Sequence, residues 1–361
     1  MALDQGPDCA GPFAEDQPAF PIPRHRSVSR LWGRWLMWRV SPTPGCGCSC
    51  TAASGGRLTG SPSSEARLQV WSAHKGGQAL QPRTAAPTIP SMRRLLYVNS
   101  ALVLVIGIPL YVLSDQTDTY FAWTIHPPLT AAVLGAGYWA SFVLELLSAR
   151  ERLWARTRLA VPAVLVFSTL TLAITLVHAG RFHFHSPQLI TRAGTWGWLL
   201  VYVSVPVAMS WQLVAQLRQA RPDPARVAPL VAWVRIVLVV QAAVMLVVGL
   251  LLLLAPTVLH GAWPWQLTPL TSRAIGAWAI GIGIIAAHAS WENDWWRLRP
   301  MMASYTLLGV LQLTAVLRYR TDLDGSRAAA VGYVCFLATI LLLGGYGWSK
   351  TQRAHQAQLA G

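Results

Sequence analysis

Residues 128–158 read PLTAAVLGAGYWASFVLELLSARERLWARTR, and residues 269–299 read PLTSRAIGAWAIGIGIIAAHASWENDWWRLR. The two stretches align without a gap. Pro128 meets Pro269, Gly135 meets Gly276, Glu151 meets Glu292, Trp154 meets Trp295, Arg156 meets Arg297, and Arg158 meets Arg299. Upstream, residues 93–123 align on residues 235–265, with Arg93 on Arg235, Gly107 on Gly249 and Trp123 on Trp265. One deleted residue separates the two blocks. Apolar matches between hydrophobic segments carry little information. The Trp, Arg, Glu, Gly and Pro matches fall mostly in loops and at helix ends, and they point to a duplicated membrane unit.

Composition agrees with a membrane environment. The chain of 361 residues is 53% hydrophobic and only 12% charged, whereas soluble domains carry about 25% charged residues. A helix needs ~20 apolar residues to cross about 30 Å of hydrocarbon. Eight windows qualify: about 95–113, 127–148, 159–178, 195–216, 233–255, 270–289, 301–317 and 329–348. The seventh is the shortest and is interrupted by Gln312. As buried helices of a soluble fold, eight such windows would leave almost no polar surface. The expected fold is therefore an all-α membrane protein with eight transmembrane helices. Four spans per copy return the chain to its starting side, which makes the halves parallel four-helix repeats related by a pseudo-two-fold along the membrane normal. The expected divisions are a tail at 1–91, repeats at 92–218 and 219–350, and a second tail at 351–361.

The formal net charge of +15 is distributed by topology. Basic residues crowd alternate loops: Arg150, Arg152, Arg156 and Arg158, then Arg218, Arg221, Arg226 and Arg235, then Arg297 and Arg299, then Lys350 and Arg353. The loop at 114–126 has no Lys or Arg, and the loop at 256–269 has no charge. Positive loops mark the cytoplasmic side, so both the N and C termini are expected there. The same pattern argues against nucleic acid as a partner and leaves the lipid bilayer; which protein partners there are is left open. Lysine occurs only at Lys75 and Lys350. That usage resembles a GC-rich bacterial genome, so the expected location is a bacterial inner membrane.

Residues 1–91 differ from the rest. They are rich in Pro, Gly, Ser and Arg, lack a sustained apolar period, and contain Cys46, Cys48 and Cys50 without a second ligand pair at zinc-finger spacing. Such a composition predicts disorder. Trp32, Trp35 and Trp38 among Arg30, Arg34 and Arg39 form a short basic aromatic patch that suits an anionic membrane surface. Met92 immediately precedes Arg93 and the first span, where a natural start is expected.

Ionisable groups inside spans are functional candidates by default. Glu145 in the second span and His288 in the sixth lie at similar depth, where they could face one another as a proton-sensitive pair. Alternatively Glu145 pairs with Arg150 or Arg152 at the interface. The alignment sets Glu145 on Ala286 and His288 on Leu147, so neither group is duplicated. Arg273 opens the sixth span and could hold an anionic group or loop carbonyls. Asn99 and Gln241 align in the first and fifth spans as amides that could bond helices together. Spans two and six also carry small residues at four-residue spacing, Ala132, Ala136, Ala140 and Ala279, Gly283, Ala287, and are expected near the pseudo-two-fold centre.

His126, His178, His183, His185 and His260 fall at the outer ends and loops. Imidazole suits zinc, copper or haem iron, but no carboxylate lies beside them, and interfacial histidine is the simpler assignment. No cofactor is predicted outright. Trp123, Trp263 and Trp265 outside, with Trp154, Trp291, Trp295 and Trp296 inside, suggest aromatic anchoring belts. The inner loops share a Glu-x-x-Trp-x-Arg core at Glu151 and Glu292, which suits a packed loop or partner surface. Phosphate-binding Gly-Lys, Gly-x-Ser-x-Gly, His-Glu-x-x-His and haem-attachment motifs are absent from the sequence, so nothing in it favours an enzyme.

The run Phe121 to Thr130 and its echo Trp263 to Trp278 resemble uncharacterised bacterial multi-pass membrane proteins. The resemblance covers residues 92–350 and implies the membrane fold without any catalytic residue. Three functional classes stay open: a small-molecule or ion carrier, a membrane redox or metal protein using the outer histidines, and an accessory or scaffold protein. The parallel repeat and the span-embedded polar groups favour the carrier.

Overall fold

A computed structural model of the chain describes residues 85–219, 221–259, 261–324 and 328–360. Eight long helices are present: α1 (Pro90–Tyr111), α2 (Pro128–Arg150), α3 (Ala160–Val177), α4 (Leu189–Leu217), α5 (Ala232–Leu254), α6 (Pro269–Glu292), α7 (Arg299–Arg318) and α8 (Ala328–Ala360). All eight are long and apolar enough to cross a membrane. Among the described residues the extended pairing is limited to an isolated bridge between Pro87 and Leu153. The chain is an all-α, multi-pass membrane protein. The tail expected from residue 351 continues α8 as helix.

Helix boundaries follow local chemistry. Proline sits in the first turn of α1, α2, α6 and α7, where its missing N–H is not needed by the helix. At α6, Thr268 and Thr271 form a reciprocal capping box. The helix ends at Asn293, whose φ of 48° is left-handed. Asparagine tolerates that conformation, and its Oδ1 accepts the Leu230 N–H at 3.2 Å.

Helices α2 and α6 are the most enclosed, with 72% and 67% of their apolar stretches buried, against 28% for α4, α5 and α8. The less enclosed helices turn Val105, Leu200, Trp211, Ile236 and Leu342 outward, as lipid contact requires. Helix α1 packs along α2, α5 along α6, α3 with α4, and α7 with α8; α7 also crosses α2, and α3 crosses α6. Glycine sets the closest approaches. A Cβ on Gly135 would lie 2.6 Å from the Tyr111 backbone nitrogen, and one on Gly276 would lie 3.0 Å from the Leu253 nitrogen. Tyr111 and Leu253 match in the alignment, as Gly135 and Gly276 do. Likewise Gly107 abuts Trp139, and Gly249 abuts Ile280, at matched positions.

At the basic end of the bundle the two Glu-x-x-Trp-x-Arg loops interlock. Glu151 pairs with Arg156 at 2.9 Å and Glu292 with Arg297 at 2.7 Å, each within its own loop. Arg158 of the first half pairs with Glu292 at 2.5 Å, while Arg299 of the second reaches Glu151 at 3.9 Å. Trp154 and Trp295 lie inside this joint rather than in a belt, at 7% and 5% exposure. Trp123, Trp265 and Trp296 are buried as well, whereas Trp291 is exposed. Tryptophan here mostly fills the interior, because aromatic rings bury large apolar area where helices diverge.

Residues 85–91, expected to belong to the tail, are described and packed. The Trp154 N–H donates to the Ala86 carbonyl at 3.0 Å, matching the Trp295 bond to the Ala228 carbonyl at 2.8 Å. Thr88 bonds Thr157 at 2.9 Å, and the Ile89 N–H donates to Gln216 Oε1 at 2.9 Å. The expectations for residues 1–84 lie outside the described residues.

The glycine contacts yield a direct test. Gly135→Val should lower the unfolding free energy by about 1–3 kcal/mol, because the added atoms meet backbone that cannot step aside. Gly180→Ala, at a position with nothing within 4 Å of an added Cβ, should leave thermal unfolding in detergent unchanged.

Candidate functional site

The close packing of α1 on α2 brings Asn99 beside Glu145. Asn99 Nδ2 donates to Glu145 Oε2, and the two residues are only 3% and 1% exposed. They border a cavity of about 70 Å³ that is also lined by Ser141, Ser168, Tyr202 and Tyr305. The Tyr202 hydroxyl meets that of Tyr138 at 2.5 Å. Ser304, also on the wall, donates to the Ala140 carbonyl at 2.8 Å, tying α7 to α2. The Tyr305 hydroxyl is buried and has no hydrogen-bond partner among the described residues. The cavity wall includes Trp278, whose ring would lie 3.1 Å from a Cβ on Gly137. Gly137 and Trp278 are matched in the sequence alignment, and here they face one another across α2 and α6. Two tryptophans could not share that space, whereas glycine against tryptophan fits.

The counterpart of Asn99 fares differently. Gln241 is 6% exposed, and neither of its amide atoms has a hydrogen-bond partner among the described residues. The physical reason is the sequence at the matched position: Glu145 accepts from Asn99, but Ala286 offers Gln241 nothing. The bonding role expected of both amides therefore holds for Asn99 alone. Glu145 also does not turn to Arg150 or Arg152. It is not paired with His288, which lies 3.3 Å from Glu292 and takes no part in the cavity wall.

Glu292 belongs to the latch between the loops. Besides His288 it receives Arg158 at 2.5 and 2.9 Å and Arg297 at 2.7 Å. Arg158 also reaches Asp223 at 2.6 Å. Burial opposes the Arg158 charge, but Glu292 and Asp223 outweigh it and raise the guanidinium above its ordinary range. A carboxylate held by two guanidinium groups is a fastening rather than a reactive group.

At the opposite end, Arg273 donates from Nε to the Leu253 carbonyl at 3.1 Å and from Nη1 to His178 Nε2 at 2.6 Å. It holds loop and helix-end groups, one of the two roles the sequence left open. His183 is engaged at both ring nitrogens, by the Phe121 carbonyl at 3.1 Å and Thr124 at 3.2 Å. A carbonyl only accepts, so Nδ1 carries the proton. His126 and His185 are exposed, and His260 lies outside the described residues. Among the described residues no three His, Cys, Asp or Glu side chains come together to hold a metal ion.

The sequence reading did not single out Tyr138, Tyr202, Tyr305 or Trp278. The alignment holds a signal for Trp278, which stands opposite Gly137 directly after the matched Ala136 and Ala277, and for Tyr138, which stands opposite Ala279. No protein family, curated protein or solved structure matches the chain. The sequence resemblance therefore keeps only its coarser content, the multi-pass membrane architecture.

Two tests follow from this geometry. Glu292→Gln leaves the buried Arg158 and Arg297 charges uncompensated and should destabilise the protein by about 3–5 kcal/mol; Glu151→Gln leaves one closely paired arginine, Arg156, and should cost less. For His178, burial first and the Arg273 and Arg181 charges second hold the pKa below its ordinary 6.5. The unfolded chain then binds the proton more readily, so stability falls as the pH drops below 6.5. His178→Gln retains an acceptor without a titrating group, and should flatten the acid limb of a melting-temperature profile.

Proposed function

We propose that the chain is a carrier of a small solute or ion, with Glu145 and Asn99 as its binding groups. The observation that carries this reading is the company Glu145 keeps. Glu151 and Glu292 are each neutralised by arginine. Glu145 lies deeper in the bundle, bonds a neutral amide, and borders a cavity. An intramembrane carboxylate without a fixed counter-charge is suited to exchange a proton or cation. Trp278, seated against Gly137, lines both this cavity and a second chamber nearer the opposite end of α6. That wall is where a moving solute would have to displace a side chain.

In this reading the two halves are copies of one unit, related by a pseudo-two-fold along the membrane normal. Support comes from matched positions that make the same contacts: glycine approaches, loop ion pairs, and the bonds from Trp154 and Trp295 to Ala86 and Ala228. The basic end then faces the cytoplasm of a bacterial cell, with both termini there. The metal and redox alternative has less behind it, since His178 and His183 are already bonded within the protein. Nothing specific favours a scaffold.

The reading is tested in proteoliposomes holding a trapped pH dye and a sodium-sensitive dye. An imposed potential should drive proton or sodium entry in the native protein. Glu145→Gln should abolish it, while Glu145→Asp should retain part. Equal flux in the native protein and Glu145→Gln would overturn the assignment.

A further inference from the structure

The two halves differ most in one pair of matched chambers. In the first half, the space beside Trp123 retains about 20 Å³, because Tyr138, Phe167 and Trp198 fill it. The matched residues of the second half border a chamber of about 350 Å³. There Ala279 stands for Tyr138, Leu308 for Phe167, Gln312 for Thr171 and Trp265 for Trp123. Tyr333 takes the place of Trp198: Trp123 meets Trp198 edge-on at 5.0 Å, and Trp265 meets Tyr333 edge-on at 5.1 Å. The frame is common to both halves, and the rings that fill it are missing from one.

We propose that this second-half chamber binds a neutral, ring-bearing apolar molecule that enters from the bilayer. Its size falls within the range of about 300–1,000 Å³ usual for small-molecule sites. No residue on its wall carries a formal charge, which disfavours an ionic ligand. The ring follows from shape, since the chamber corresponds to the volume that Tyr138 and Phe167 occupy with their own rings in the first half. Trp265, Trp278 and Tyr333 offer aromatic faces for stacking or edge contacts. A single polar function on the ligand is matched by the Tyr333 hydroxyl, which donates to Gln312 Oε1 at 3.3 Å and can still accept, while the Gln312 nitrogen donates to the Val133 carbonyl at 3.5 Å. Access from lipid follows from position, because α5 and α8, which turn apolar side chains outward, contribute Val244, Met245, Ala329 and Phe336 to the wall.

Glu145 and Asn99 are absent from its wall, although Gly137, Trp278, Ile282 and Leu308 line both spaces, so binding here is read out separately from transport. The test uses the full chain in lipid nanodiscs with 1-naphthol as the probe, and empty nanodiscs to subtract partitioning. Saturable binding of about one molecule per chain is expected. Ala279→Tyr, which restores the first-half residue, should weaken it at least about ten-fold by filling the chamber. Its melting temperature should be equal to or above that of the native protein. Leu308→Phe provides a second filling variant should Ala279→Tyr fold poorly, with weaker binding again expected. Non-saturable uptake by the native protein, or the same isotherm for the native protein and a folded filling variant, overturns the proposal. So does binding of decane at this site without binding of naphthol, which would mark it as an acyl-chain pocket.

Discussion

Close helix approach at four glycines, three against backbone and Gly107 against the Trp139 ring, organises the molecule. In lipid there is no hydrophobic drive between helices, so association rests on close packing and interhelical bonds. Gly107 and Gly135 let α1 lie against α2, and Gly249 and Gly276 let α5 lie against α6. Those two tight pairs fix the depth at which side chains on neighbouring helices face one another. Asn99 meets Glu145 because the α1–α2 register is held by the Gly135 contact a few turns away. The position matched to Glu145 is Ala286, which offers no acceptor, and Gln241 has no hydrogen-bond partner among the described residues.

The matched framework throws the unmatched residues into relief. Where the halves agree, the residues hold structure: glycine contacts, loop ion pairs, and the bonds of Ala86 and Ala228. Where they disagree, the interior changes character. Glu145 against Ala286 yields a polar cavity on one side only. Tyr138 against Ala279 fills a chamber on one side and opens it on the other. Gly137 against Trp278 is a different kind of difference, imposed because these two positions share one space.

Much of the fold is readable without coordinates. Hydropathy marks all eight spans, since a lipid-facing helix has no alternative to apolar residues. The loop repeats at Glu151 and Glu292 mark positions that prove to be ion-paired. The site is less legible. Depth along two helices sets Glu145 and His288 at one level, but their rotation about the helix axes, fixed by packing, sends them to Asn99 and Glu292. Tryptophan misleads for a related reason: a ring at a helix end reads as an interfacial anchor, yet Trp123 and Trp265 turn inward to fill space between diverging helices. The segment at 85–91 looks like tail because its bonds to Trp154, Thr157 and Gln216 run to distant parts of the chain.

The sequence by itself determined the eight spans, because they are encoded in residue type at fixed positions along one chain. Only the tertiary structure decided which carboxylate stands without a cation, which amide lacks a partner, and which chamber is filled. Those outcomes depend on where side chains from several helices converge, and one-dimensional periodicity holds no record of that convergence.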